Sequence, residues 1–377
     1  MDSSILVPRT STGSAVQGAT GYLTIDLSAL GRNYERLSSM LAPGRAGAVV
    51  KADGYGIGAE CIATALYDKG CRHFFVAQFV EAVRLRPTLA RDAQIFMLNG
   101  LQPGNEGPCA GSGIIPVLNS LQQWEQWSAA ARHLKRTLPA VLQFDTGMSR
   151  LGFPLEERQA LAEALGDDSH VEILFIMSHL ASADELDSEQ NCEQLAEMSR
   201  IADEFAGFDI SFANSSGVFL GETYHGVLAR PGIALYGGAP TAGEPNPMEP
   251  VVSLDVAVVQ TRIVPAGTKV GYGGAHVTQR EARLLTIAAG YADGLPRSLS
   301  GRGAVYYKGT RLPIVGRVSM DSITVDASAL SEGDLTLGSQ VEVLGPHQTL
   351  EDLARDAGTI PYEILTGLGD RYHRQYR

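Results

Sequence analysis

The chain is poor in what several protein classes require. Its four cysteines, Cys61, Cys71, Cys109 and Cys192, stand far apart with no C-x-x-C pair, so neither a zinc ribbon nor a disulfide framework is indicated, and a reducing compartment suits them. The eight histidines form no H-x-H or H-E-x-x-H pair, which removes the usual signatures of a metal-dependent hydrolase. Basic residues are outnumbered, 30 Lys plus Arg against 42 Asp plus Glu. The resulting formal charge of −12 argues against nucleic acid or an anionic membrane as the main partner. Any anion must then be bound by local geometry. No apolar run is long enough to span a bilayer, and the first twenty residues hold only the short run Ile5, Leu6, Val7, too brief for a signal-peptide core. The expectation is a cytoplasmic protein with a flexible extension over residues 1–20.

What is present is ample apolar material, 44% of 377 residues, enough for more than one core. From about residue 22 to 235 short apolar runs alternate with longer amphipathic ones, the rhythm of βα units around a parallel sheet. The strand candidates are GAVV ending at Val50, FFVA at 74–77, IFML at 95–98, IIPVL at 114–118 and AVLQF at 140–144, followed by VEILFIMS at 171–178, DISFA at 209–213 and a last one around Ile233 to Tyr236. Ser28 and Ser120 read as helix caps and Pro154 as a helix opener. Eight such units predict an α/β fold, a (β/α)8 TIM-type barrel over residues 21–245. The stretch APTAGEPNPMEP, residues 239–250, reads as a linker. Beyond it, alternating β-branched runs predict a mainly β domain over 246–377, with short helices near 350–357 and 361–368. The early strand YLTIDL alternates too and is a candidate to pair with that domain.

A barrel gathers functional residues where its strands end. Lys51 closes the first strand, Arg150 follows the fifth, His179 the sixth, Asn214 and Ser215 the seventh, and Arg230 and Gly232 flank the eighth. A lysine on a barrel floor loses its proton more readily than a surface one and suits Schiff-base chemistry, although a strand-end lysine also snorkels to solvent. After the last two strands, ANSSG and RPGIALYGG supply hydroxyls and small residues where such barrels bind phosphate. Ser215 offers a hydroxyl, Gly232 and Ile233 backbone N–H groups, and Tyr55 a phenol; a serine-rich turn alone is equally a helix cap. A phosphate anchor beside a buried amine is what pyridoxal 5'-phosphate requires.

The blocks VVKADGYGIG, QFDTGMSRLG, MSHLA, ANSSG, ARPGIALYGG, GYADGLPR and GRVSMDSITVD follow one another as in bacterial alanine racemases of the pyridoxal-phosphate barrel type, which the chain resembles over about residues 22–370. The resemblance implies a racemase interconverting L- and D-alanine with two proton carriers, Lys51 and Tyr291, on opposite faces of a planar carbanion. It implies that His179 and Arg230 form a polar chain favouring the Tyr291 phenolate, since a phenol is a weak acid at its ordinary pKa near 10. In the family the residue matching Arg230 meets the pyridine nitrogen and weakens the electron sink, although a structural salt bridge is the plain alternative for a buried arginine. Arg150 matches the arginine at the cofactor ring oxygen and substrate carboxylate, Met320 a residue whose backbone binds that carboxylate, and Asp321 an orienting neighbour. Tyr291 and Met320 come from the partner subunit in the family, so a head-to-tail homodimer is implied.

Two positions depart from the family pattern. Gln143 stands where many members carry a carbamylated lysine that braces the arginine; it accepts a hydrogen bond but carries no charge. Asp370 stands where many have a tyrosine, and a solvated surface carboxylate is an equal reading there. The rivals are a racemase that also takes serine, a pyridoxal-phosphate decarboxylase of the same fold, and a noncatalytic barrel carrier. Decarboxylases place a glutamate at the pyridine nitrogen and a C-terminal cysteine nearby, whereas this chain has Arg230 and no cysteine after Cys192. A carrier would lack the β domain. The product would feed peptidoglycan precursors or, in the other direction, L-alanine catabolism.

Overall fold

The computed structural model describes residues 19–167 and 170–377; residues 1–18 of the expected extension lie outside them. The chain forms two compact units, one spanning Leu27–Val251, the other formed by Val252–Arg377 with the segment that ends at Asp26.

In the first unit seven short strands run parallel in chain order: Ala48–Val49, His73–Val76, Gln94–Met97, Ile115–Leu118, Leu138–Gln143, Val171–Met177 and Ile210–Ser211. They are apolar because a barrel wall is buried on both faces. Phe75 and Phe96 on neighbouring strands are fully buried with ring centroids 4.8 Å apart, and burial of each such side chain contributes about 1.5–3 kcal/mol. The eighth strand, Leu228–Ala229, runs parallel to Arg45–Ala46, which leads into the first. On its other side Val227 N–H donates to Ile210 O and Arg230 N–H to Ala213 O, both at 2.8 Å. The sheet thus closes on itself as a (β/α)8 barrel. The eighth strand precedes the expected Ile233–Tyr236, which forms turns, because Pro231 has no N–H to extend a ladder and Ser215 Oγ accepts the Gly232 N–H at 2.8 Å.

Helices fill the crossovers. Ser120 caps Leu121–Leu134, accepting from Gln123 N–H at 3.3 Å, and the helix buries Trp124 and Trp127; Leu155–Asp167 opens after Pro154. Ser28 is no cap, since its helix, Leu27–Leu41, begins one residue earlier. The proline-rich segment 239–250 is tied back to the first of these helices. Asn33 Nδ2 donates to Leu235 O at 3.2 Å and Glu249 O at 2.9 Å, Glu249 N–H donates to Asn33 Oδ1 at 2.9 Å, and Arg32 meets the Glu249 carboxylate at 2.7 Å.

The second unit is built on the long strand Val252–Val264. It pairs antiparallel with Gly21–Ile25, Ala282–Ile287 and Gln340–Leu344. Gly21–Ile25 also pairs parallel with His373–Tyr376, so the early strand belongs to the β sheet, and its alternating burial places Leu23 and Ile25 in the core. Ala304–Tyr307, Thr310–Pro313 and Ile323–Asp326 extend the sheet, and Leu350–Ala357 and Pro361–Gly367 supply the helices.

Candidate active site

Lys51 follows the first barrel strand at once, and the chain then does something uncommon. Ala52, Asp53, Gly54 and Tyr55 all have positive φ, +53°, +55°, +62° and +57°, a single left-handed turn in which only one residue is glycine. Each non-glycine residue there costs about 1–2 kcal/mol, so the surroundings must impose it. Glu81 supplies much of the constraint: Oε1 accepts from Ala52 N–H at 2.6 Å, and Oε2 from Ala77 N–H at 2.7 Å and Gln78 N–H at 2.9 Å. Asp53 Oδ1 accepts from Ala59 N–H at 3.0 Å. A Cβ on Gly54 would stand 3.0 Å from the Ala59 backbone, so only glycine lets the turn lie against the next helix. Burial, and then the Arg150 charge, lower the pKa of the Lys51 amine, while Glu81 opposes them.

A second cluster lies after the seventh and eighth strands. Ser215 Oγ is buried and accepts from both Gly232 N–H (2.8 Å) and Ala234 N–H (3.2 Å). Gly232 N–H, expected to be open to an anion, is therefore taken by Ser215, whose own hydroxyl hydrogen remains to donate. Asn214 shapes the turn, accepting from Gly217 N–H at 2.9 Å and donating to Leu180 O at 3.3 Å. A Cβ on Gly232 would stand 2.1 Å from Tyr55 Oη, so the missing side chain admits the phenol. The Tyr55 ring stacks on Tyr236 at 4.6 Å, and Tyr236 Oη donates to Val49 O at 2.9 Å. Ile233 sits beside them, fully buried.

Between these clusters lie three more cationic or basic groups. Arg230 is 3% exposed. Its NH1 donates to Ser211 O (2.8 Å) and Ser211 Oγ (2.6 Å), and its NH2 to Ser178 O (2.5 Å) and Phe212 O (3.5 Å). These are carbonyls and a hydroxyl; among the described residues no carboxylate pairs with it, so the salt-bridge alternative does not apply. Burial pushes its pKa down to about 9, which leaves it charged at neutral pH. His179 has its pKa pushed down to about 3 by burial and by the charges of Arg230, Arg150 and Lys51, so its imidazole is neutral. The charges of Lys51, Arg150 and Arg230 are thus all felt at the His179 ring. Arg150 itself is exposed, at the end of a loop held by Asp145 Oδ1, which accepts from the N–H groups of Gly147, Met148 and Ser149 at 2.9–3.1 Å. Gln143 is buried at the end of the fifth strand.

In the β unit, Tyr291 and Met320 come together. Tyr291 N–H donates to Ser319 O and Ala292 N–H to Met320 O, both at 3.0 Å. Their side chains stand 45% and 52% exposed. Asp321 faces Arg371, whose NH1 donates to its Oδ1 at 2.7 Å. Asp370 is exposed to solvent, and Arg374 NH1 stands 3.3 Å from its Oδ1.

Three residues at these sites escape a reading of the sequence. Glu81 carried a usable signal, since Gln78 and Glu81 have the spacing of a capping box. Gln194 carried none, yet it ties two rim loops together, donating to Thr146 Oγ1 (3.0 Å) and His179 O (2.9 Å) and accepting from Ala181 N–H (2.8 Å). Arg371 is the third.

A closed βα barrel carrying a desolvated lysine and a buried, charged arginine, followed by a β unit presenting a tyrosine, defines a class of two-domain enzyme-like chains, and the comparisons place it further. The family described as "Alanine racemase, N-terminal domain" matches residues 25–240 and that described as "Alanine racemase, C-terminal domain" matches residues 251–376. A protein of Rhizobium johnstonii named "Alanine racemase, catabolic" is 81% identical over the whole of both chains. One of Agrobacterium fabrum with the same name is 60% identical, over 96% of this chain and 93% of its own. Among solved structures, the alanine racemase of Bartonella henselae with covalently bound pyridoxal phosphate superposes with a TM-score of 0.92 at 46% identity, covering 96% of this chain and all of its own. The chain belongs to the alanine racemase family.

Proposed function

We propose that this protein is an alanine racemase that uses pyridoxal 5'-phosphate, and that Lys51 and Tyr291 carry its protons. The observation that carries the reading is the company of Lys51: an amine lowered in pKa, its charge felt at His179 together with that of a buried Arg230, which pairs with no carboxylate among the described residues. The residues fit the cofactor. Ser215, whose hydroxyl hydrogen remains to donate, would hold the phosphate together with Tyr55, with Asn214 and Ile233 alongside, and Lys51 would hold the cofactor's other end. When bound, pyridoxal phosphate draws electrons from the substrate's α-carbon and so acidifies its α-hydrogen.

The rest is the work of the chain. Lys51 Nζ, its pKa lowered by burial and Arg150, can take or return a proton at one face. Tyr291 Oη, on an exposed side chain, serves the other face; two carriers on one face would return the substrate with its original hand. Arg230, a charged donor, would meet the ring nitrogen and oppose its protonation, limiting how long charge resides on the cofactor and favouring return of the proton over other outcomes. Arg150 would hold the substrate carboxylate in a charge-assisted bond, aided by the Met320 backbone. Asp321, engaged with Arg371, suits bracing better than contact with a carboxylate substrate. The half-exposed Tyr291 and Met320 suit a head-to-tail homodimer in which each copy completes the other's site. A catabolic role accords with the names of the two close relatives.

The test is the purified holoenzyme with L- and D-alanine, L-serine, and the basic amino acids, scoring enantiomer by chiral chromatography and carbon dioxide release. Equal mixtures from either alanine enantiomer, without carbon dioxide, are expected. Carbon dioxide release with the remaining substrate unracemised would replace the racemase with a decarboxylase, and comparable rates on serine would broaden the substrate class.

A further inference from the structure

The turn that carries Tyr291 is short and irregular, residues 291–293 flanked by Gly290 and Gly294, and its own hydrogen bonds do not explain why it holds one shape. Its buried carboxylate does. Asp293 is 4% exposed; Oδ2 accepts from Gly290 N–H at 2.9 Å, so the carboxylate closes the turn on itself. It is then gripped from outside by Arg371, whose Nε donates to Oδ1 at 2.6 Å and NH2 to Oδ2 at 2.7 Å, a two-pronged pairing. The third nitrogen, NH1, donates to Asp321 Oδ1 at 2.7 Å, and Asp321 directly follows Met320. One guanidinium thus spans two turns, with the tyrosine two residues from one carboxylate and Met320 next to the other.

The backbone is shaped to allow this. A Cβ on Gly294 would stand 2.0 Å from Gly367 O, and one on Gly290 would stand 2.3 Å from Met320 O. Gly369 N–H donates to Asp293 O at 3.2 Å. The segment that delivers Arg371 therefore lies directly on the Tyr291 turn, which in turn lies on the Met320 turn.

Resting on the racemase reading above, we propose that Arg371 is a positioning residue for the Tyr291 phenol, its planar fork fixing the Tyr291 and Met320 turns as one piece through Asp293 and Asp321. Lysine keeps the charge but has no fork with which to hold both carboxylates at once. The effect is one-sided by construction, since Lys51 stands on a different unit and takes no part in the clamp.

The experiment measures solvent-deuterium incorporation at the α-carbon, separately into recovered L- and D-alanine, in holoenzyme carrying Arg371→Lys, Asp321→Asn or Tyr291→Phe. Tyr291→Phe identifies which enantiomer depends on the phenol. Arg371→Lys is expected to lower incorporation into that same enantiomer about tenfold while incorporation into the other stays within about twofold, a change of about 1.4 kcal/mol in one barrier. Asp321→Asn, which frees only the exposed arm, is expected to give a one-sided fall of about threefold. Equal losses into both enantiomers, or no loss into either, would overturn the clamp. Should Arg371→Lys fail to fold, the absence of any one-sided fall in Asp321→Asn overturns it instead. Failure of the wild type to incorporate deuterium into either enantiomer would strike the racemase reading beneath it.

Discussion

The turn bearing Lys51 and the turn bearing Tyr291 are both irregular, and each is closed by one carboxylate, yet their electrostatics differ in kind. Glu81 collects three N–H groups around the Lys51 turn, and among the described residues no cation pairs with it. Its charge is therefore felt at the amine, where it opposes the lowering by burial and Arg150. Asp293 likewise accepts an N–H from its turn, but Arg371 pairs with it in two-pronged fashion, so its charge is cancelled on the spot. A carboxylate left unneutralised can both shape a turn and tune its neighbour, whereas a neutralised one only shapes. The lysine turn holds an amine whose pKa burial and Arg150 lower and Glu81 raises; the tyrosine turn needs placement.

The sharpest division between the two turns comes from removing each reactive group. Lys51→Ala is expected to abolish both racemisation and the covalent link to pyridoxal phosphate, read as loss of protein-bound cofactor absorbance and of the reduced adduct in the mass spectrum. Tyr291→Phe is expected to retain that link while losing about 10²–10⁴-fold in racemisation rate. A folded Tyr291→Phe protein that no longer holds the cofactor would erase the distinction.

A smaller effect is expected where the barrel cluster depends on absent atoms. Gly232→Ala places a methyl 2.1 Å from Tyr55 Oη, so the phenol must leave its place on Tyr236. Overpacking of this kind costs about 1–3 kcal/mol, and cofactor affinity, measured by titration of the apoenzyme, is expected to fall at least about tenfold. An unaltered affinity would show that the cradle has slack.

The barrel was legible in the sequence because its signal is local: apolar runs recur with each βα unit, and chemistry sits where they end. Lys51, Arg150, His179 and Arg230 follow from that rule, and the charges of the other three are felt at His179. The last strand was misplaced because IALY is as apolar as any strand, while the deciding features are a proline before it and a hydrogen bond from Gly232 to Ser215, 17 residues apart in sequence. The left-handed turn after Lys51 was hidden, since alanine, aspartate and tyrosine do not announce positive φ. Tyr291 and Met320 came from motif resemblance alone. Arg371 could not be read, as its three bonds reach across 50 and 78 residues, and nothing in GLGDRYH says which carboxylates it meets.

The finest test of the comparison is at Glu81. Glu81→Gln removes the charge that raises the Lys51 pKa, leaving burial and Arg150, which lower it, while His179 nearby is neutral and contributes no compensating charge. The amine attacks the cofactor aldehyde only when unprotonated, so the rate of attachment to apoenzyme climbs with pH through the Lys51 pKa. With the carboxylate gone, that midpoint is expected to move to lower pH. The amide also turns its NH₂ toward N–H donors that the carboxylate satisfied, which costs about 1–3 kcal/mol and is expected to lower the thermal midpoint of the apoenzyme. Asp293→Asn, by the same logic, is expected to loosen its turn without moving the attachment midpoint, because Arg371 already cancels that charge and sits on the other unit. A midpoint that rises in Glu81→Gln, or shifts equally in both variants, would mean that the two carboxylates do not differ in the way their partners imply.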